Sequence, residues 1–362
     1  MPPPATGSAT PRSVRRLTEL ALLGLATGVL GFGFDRVGLP SSYLFAALLV
    51  GLAAALTLPG EIGIPPFVFR AAQAVTGVVL GAQVRSSSLS ALAHSWLPVT
   101  LVSVGTLVIS LAAGKVLARV TFVDAPTGAL GMVAGGASGI VAMADELGAD
   151  DRLVAFMQYL RVLVVVLLTP LLIPIFFPGH HGGSVPGQST LGDAKGWLLT
   201  IGVAAAGWLL ASRVRFPAGT LLAPMVLAAV VVLAVPNAEF NVPTLLQQVA
   251  FAGIGLQVGL RFTMETVRSL GGLLLPVLAS IIGLIVACFG LAILLDHTAN
   301  VSLLDAYLAT TPGGLFAVVA VAFGAGANTT FILGVQALRI LVMVLLAPVA
   351  VRWLTRGSVK VA

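Results

Sequence analysis

The chain has 362 residues, of which 58% are apolar and 9% charged, against about 45–50% and about 25% in soluble domains. So few charges cannot cover a soluble globule of this size, and a mean hydropathy of +1.07 makes lipid the main solvent. That excludes a soluble enzyme, a disordered chain, a disulfide scaffold and a nucleic-acid binder; the excess of 19 Lys and Arg over 13 Asp and Glu reads instead as basic residues holding loops on the cytoplasmic side.

Residues 1–16, rich in Pro, Ser and Arg, read as a disordered cytoplasmic tail. Apolar segments follow at about 17–34, 39–58, 64–84, 96–118, 125–147, 153–177, 197–212, 217–235, 243–262, 274–296, 303–326 and 329–354. Most approach the ~20 residues that cross a ~30 Å hydrocarbon core. The Gly-, Pro- and Ser-rich stretch 178–196 reads as a linker between membrane repeats 17–177 and 197–354, with 355–362 a short C-terminal tail. The lone cysteine, Cys288, sits in an apolar run, so there is no disulfide framework.

The two blocks read as homologous repeats. A single constant offset along the chain pairs Gly135-Gly136 with Gly313-Gly314, Pro98 with Pro276, Gly148-Ala149 with Gly326-Ala327, Gln158 with Gln336, Arg161 with Arg339 and Pro170 with Pro348. The fifth segment of each block carries the double glycine, preceded in the second by Thr311-Pro312. Glycine costs about 1 kcal/mol and proline about 3 kcal/mol inside a helix, so each fifth segment should be broken or re-entrant. If each enters and returns on one side, ten crossings remain. Arg12, Arg15, Arg16, Lys115, Arg119, Arg152, Arg213, Arg215, Arg261, Arg268, Arg352, Arg356 and Lys360 then lie inside, and only Arg36, Arg85 and Lys195 outside. Twelve crossings with parallel halves would divide the charges almost evenly. The expected fold is therefore all-α: a polytopic integral membrane protein of two inverted repeats, about five crossings each plus a broken helix, with both termini cytoplasmic.

Three constellations could carry chemistry. The first is the broken pair, Gly135, Gly136, Ala137, Ser138 and Gly139 with Thr310, Thr311, Pro312, Gly313 and Gly314. A break in lipid frees backbone dipoles, which are tolerated against protein or a water-filled cavity and can bind ions or solute; alternatively the glycines only let helices pack closely. The second is Gln158-x-x-Arg161 and Gln336-x-x-Arg339, each pair on one helix face. Arg161 lies roughly 12 Å into its segment at about 1.5 Å per residue, where a charge needs a partner. That partner could be an anionic substrate gripped by the guanidinium fork, a freed carbonyl of the break, or Asp145 or Glu146. The third is Asp145, Glu146, Asp150 and Asp151. Asp145 could bind a coupling ion, whereas a solvated loop with Asp150 capping the next helix is the plainer reading. Substrate-binding candidates are thus Gly135, Gly136, Ser138, Gln158, Arg161, Thr311, Gly313, Gly314, Gln336 and Arg339, with Asp145 for ion coupling.

Four scattered histidines, His94, His180, His181 and His297, supply no converging ligand set, so no metal and no cofactor is expected. No Walker loop, nucleophile elbow or HExxH motif occurs, so the chain should not be an enzyme. The partners implied are the lipid bilayer and a small-molecule solute, with a homo-oligomer left open.

The stretch GGASGIVAMADELGADDRLVAFMQYLRVLVVV, Gly135 to Val166, resembles the signature of the bacterial membrane AbrB family, and PGGLFAVVAVAFGAGANTTFILGVQALRILVMV repeats it from Pro312. Gly135, Gly136, Asp145, Gly148, Asp150, Gln158 and Arg161 form its recognisable core; the second copy departs at Phe323 and Asn328, which makes two equivalent ion sites doubtful. The resemblance implies an "AbrB duplication", relation to the cation-antiporter and anion-transporter superfamily with its inverted repeats and elevator-like motion, and location in the inner membrane. The family also carries an ammonia monooxygenase label, for which the histidines offer no ligand cluster, and a regulatory label tied to gene expression. Two functions follow as expectations: a secondary transporter of a small organic anion or amino acid-like solute, or a membrane regulator without transport.

Overall fold

The computed structural model describes residues 11–58, 63–84, 90, 92–135, 140–141, 143–178, 192–213, 219–234, 241–262 and 264–356. Among them every regular element is helical. The order is α1 (Pro11–Val37), α2 (Ser42–Thr57), α3 (Pro66–Gly81), α4 (Trp96–Val120), α5 (Ala125–Met132), a 3-10 turn (Asp145–Leu147), α6 (Asp151–Phe176) and α7 (Ala194–Arg213). There follow α8 (Gly219–Ala234), α9 (Thr244–Gly259), α10 (Met264–Ser269), α11 (Gly271–Ala299), α12 (Leu303–Thr310), α13 (Leu315–Gly324) and α14 (Thr329–Arg356). Six of these, α1, α4, α6, α7, α11 and α14, are long and apolar enough to cross a membrane. The fold is that of an all-helical polytopic membrane protein. Four other apolar segments show 16 helical residues each among the described residues, α2, α3, α8 and α9. At 1.5 Å per residue each is about 24 Å long, so they fit a bilayer only where it is thin or the helix ends are covered. Pro11 and the residues after it are already helical in α1. Residues 11–16, which composition assigns to a tail, are part of this helix.

The helices sort into two bundles. In one, α2 packs most extensively on α9 and α3 on α8, with α1 against α2 and α7 against α8 and α3. In the other, α4 packs on α5 and α11, α5 on α6, α11 on α12, and α12 on α14. Contacts between the bundles are sparser and run mainly through α13, which meets α2, α3 and α9.

Both broken segments turn back. Laid out straight, α12, the extended residues Thr311–Gly314 and α13 would span roughly 40 Å at about 1.5 Å per helical and 3.3 Å per extended residue. Yet the Asn328 N–H donates to Asp305 Oδ1 at 2.7 Å, and the four residues from Gly324 to Asn328 can reach at most about 14 Å. The end of α13 therefore lies beside the start of α12, and the pair is a re-entrant hairpin. Gly326, at φ 68, supplies the left-handed turn at its foot. The first hairpin closes in the same way: the Asp150 N–H donates to Thr127 Oγ1 at 2.8 Å, after a left-handed Gly148 at φ 71. Thr127 corresponds to Asp305 and Asp150 to Asn328 at the same offset that pairs the double glycines.

The hairpins enter from opposite ends of α6. The foot of the first adjoins Asp150 at the start of α6, whereas Tyr307 of α12 stacks on Phe177 just past its end, with ring centroids 5.8 Å apart.

Candidate functional site

Each hairpin tip lies against the middle of one long helix, the first on α14 and the second on α6. A Cβ on Gly313 would lie 2.7 Å from Val165 Cγ1, and one on Gly314 3.3 Å from Val162 Cγ1, so the second tip abuts the stretch of α6 that carries Arg161. A Cβ on Gly135 would lie 2.8 Å from Met343 Cβ, one turn from Arg339 on α14. Each tip thus rests on the long helix of the other half, which explains the glycines: a side chain at either point would separate hairpin from helix.

Arg161 and Arg339 are each 2% exposed and are among the largest fully buried side chains. The Gln158 amide donates to Leu130 O at 2.7 Å and Val133 O at 2.8 Å. Arg161 Nη1 donates to Met132 O at 3.0 Å, and its Nη2 to Gln158 Oε1 at 2.7 Å. The same lattice recurs at the equivalent positions of the second half. Gln336 Nε2 donates to Leu308 O at 2.9 Å and Thr311 O at 3.3 Å. Arg339 Nη1 donates to Thr311 O at 2.8 Å and Thr310 O at 3.3 Å, and its Nη2 to Gln336 Oε1. An eight-residue half-helix ends with carbonyls that no further turn can satisfy. The cationic fork and the amide cap them, at the negative end of the dipole where positive charge is favoured.

Of the three partners open to Arg161 on sequence grounds, the freed carbonyl is the one it bonds. Asp145 and Glu146 are exposed in the 3-10 turn at the first hairpin's foot, and among the described residues no carboxylate bonds either guanidinium. Asp150 caps α6, accepting from the Arg152 and Leu153 N–H groups at 2.9 and 3.1 Å. The Thr310 and Thr311 hydroxyls turn back onto their own helix, donating to Ala306 O at 2.9 Å and Tyr307 O at 2.6 Å. Gly136, Ala137, Ser138 and Gly139 lie outside the described residues.

The centre carries charge that no described carboxylate neutralises. Each arginine Nε–H is buried without a partner. Sequence reasoning did not single out Thr127 and Asp305, which tie the hairpin feet, although both are polar and sit at the shared offset.

The model of the AbrB family, described as "Transition state regulatory protein AbrB", matches residues 43–355, a span that takes in both hairpins and both Gln-x-x-Arg faces. The chain is 33% identical over 349 residues to the protein named "Putative regulator AbrB" of Escherichia coli (strain K12), covering 94% of this chain and 98% of that one. It is 26% identical over 339 residues to "Uncharacterized protein YhjN" of Bacillus subtilis (strain 168), covering 88% of each. On the extent of that match, which encloses the whole crossed-hairpin centre, the chain belongs to the AbrB family.

Proposed function

We propose that the protein is a secondary transporter of a small solute, an organic anion or an amino acid-like molecule, in the inner membrane, with no enzymatic step and no cofactor. One observation carries this reading: two buried arginines with unpartnered Nε–H groups and no carboxylate partner among the described residues, each capping the broken end of a hairpin. A buried charge without a counter-charge is costly, and a solute carboxylate would relieve it. The sparse contact between the two bundles also supports the reading, since one could shift against the other and carry the tips with it. The halves are then an inverted duplication, as in many secondary transporters, and the hairpins open to opposite faces. The test is a thermal-shift screen of purified protein against metabolites and cations, followed by uptake of each stabilising solute into proteoliposomes. Saturable uptake supports transport. A solute that stabilises the protein by several degrees but is not taken up supports the second reading, a membrane-embedded regulator or sensor, which the names of the family and of its Escherichia coli member favour.

The same reading places both termini in the cytoplasm and the 178–196 linker outside. In a Cys288→Ala background, Ser184→Cys should react with an impermeant maleimide on intact cells to nearly the extent seen after permeabilisation. Reaction only after permeabilisation would overturn the inverted arrangement.

A further inference from the structure

Away from the arginine centre, a half-open cavity of about 200 Å³ lies where the ends of α3 and α8 meet the start of α14. Leu80 and Val84 line it from the end of α3, Met225 and Leu233 from α8, and Leu333 and Gly334 from α14. An apolar cavity of about 150 Å³ holds a benzene ring, so this one is sized for roughly eight carbons. Its mouth lies beside Val226 and Val230 of α8, 52% and 54% exposed, on a helix flank that faces lipid.

The wall has one polar end. Thr329 and Thr330, the first residues of α14, line the cavity and are 5% and 8% exposed. A threonine within a helix turns its hydroxyl onto a carbonyl one turn back, but no helical turn precedes these two. Among the described residues neither hydroxyl makes a hydrogen bond, yet neither oxygen is fully covered. Both therefore offer a free donor at the end of the cavity nearest the helix terminus, with Leu333 and Gly334 one turn further in.

An empty void of this size forfeits dispersion contacts, and its apolar wall gives water too few partners to enter. In a chain whose main solvent is lipid, the filler at hand is an acyl chain. The polar end then matches the ester at the top of that chain. A free fatty acid fits less well. The Asp305 carboxylate already accepts the Asn328 N–H at the start of α14, and a second carboxylate would face it. We propose that this cavity takes up one acyl chain of a membrane glycerolipid, whose ester carbonyl accepts from the Thr329 and Thr330 hydroxyls. The site occurs once per chain. At the offset that pairs the repeats, Asp151, Arg152 and Phe156 stand where the second half has Thr329, Thr330 and Gly334. Since α3 and α8 belong to one bundle and α14 to the other, a chain lodged here fills a seam between them and resists displacement of one against the other. The inference goes beyond the transport reading and does not depend on it.

The experiment is native mass spectrometry of the purified full-length protein, titrated in detergent with dimyristoyl phosphatidylethanolamine or dimyristoyl phosphatidylglycerol. Melting temperature is read alongside. The background is set by Ala229→Phe, whose ring fills the cavity that Ala229 lines. The expected result is one more tightly held lipid per parent chain than per Ala229→Phe chain, with either headgroup. Retention should fall several-fold for the ether-linked analogue, which lacks the ester carbonyl, and for the double variant Thr329→Val, Thr330→Val. Both variant proteins should melt within a few degrees of the parent before lipid is added. Equal retention by the parent and Ala229→Phe would mean surface lipid only and overturn the proposal. Equal retention of the ether analogue, or by the double threonine variant, would remove the ester contact and overturn it too. Retention of phosphatidylglycerol alone would make this a headgroup site, and displacement of either lipid by laurate at lower concentration a fatty-acid site. Each of those results also overturns it.

Discussion

Replacing Arg339 with methionine should lower the melting temperature of the detergent-solubilised protein by roughly 10 °C. The side chain holds three acceptors, the carbonyls of Thr310 and Thr311 and the Oε1 of Gln336. Thr311 O keeps the Gly313 N–H at 2.8 Å and Gln336 Nε2 at 3.3 Å, so the change leaves two acceptors unpaired, Thr310 O and Gln336 Oε1, at about 1–3 kcal/mol each where they are buried. Removing the charge offsets part of that, because a buried guanidinium carries its own desolvation cost. A net loss of about 2–4 kcal/mol remains, and roughly 2–4 °C per kcal/mol is usual for chains above 150 residues. Arg161 bonds Met132 O and Gln158 Oε1, so its removal also orphans two acceptors and Arg161→Met should cost about as much as Arg339→Met. Arg339→Lys should fall between methionine and arginine, since a point charge cannot cap the carbonyls and hold the glutamine at once. A methionine variant that melts with the parent protein would show that the carbonyls find other partners, and that the arginine does not hold the break.

The arginine faces were legible because a charge is expensive in lipid, so Gln-x-x-Arg occurring twice at one offset had to face inward. The breaks were legible because Gly-Gly and Thr-Pro disfavour a helix there, and the charge distribution already favoured a returning segment over a crossing one. The partner of each arginine was not legible. Three candidates stood within reach along the chain, and the choice depends on register: the glutamine one turn earlier turns its Oε1 to the arginine and its amide to the same helix end. The donors of the threonine hydroxyls have a local destination: a hydroxyl in a helix can always bond a carbonyl one turn back, and Thr310 and Thr311 do so. The two-bundle arrangement was also out of reach. Glycine is 41 of 362 residues, so the four glycines that dock the short helices do not stand out from those that touch nothing.

Those four glycines carry the other large expected effect. They fall as Gly77-x-x-x-Gly81 on α3 and Gly255-x-x-x-Gly259 on α9, the spacing that lets helix backbones approach in membranes. A Cβ on Gly255 would lie 2.1 Å from Leu44 O, and one on Gly259 2.3 Å from Leu48 O, both backbone atoms of α2. On the other side a Cβ at Gly77 would lie 2.3 Å from Leu221 O and at Gly81 2.2 Å from Met225 O, on α8. A flexible neighbour could yield, but a helical carbonyl moves only if its helix moves. Overpacking a core commonly costs about 1–3 kcal/mol, and a backbone clash in a bundle of short helices should exceed that range. Gly255→Val should therefore abolish the monodisperse size-exclusion peak and make the membrane-inserted chain protease-sensitive, with Gly255→Ala intermediate. Gly283→Val on α11 is the control, because a Cβ there meets nothing within 4 Å, and it should purify like the parent. Because α2 belongs to the first half and α9 to the second, the damage is to the joint between halves. The first half expressed alone, to residue 177, should then fail to protect α2 from protease, and co-expression with the second half should restore protection. Protection of α2 in the isolated first half, or a well-behaved Gly255→Val protein, would mean that the short helices do not depend on this backbone contact.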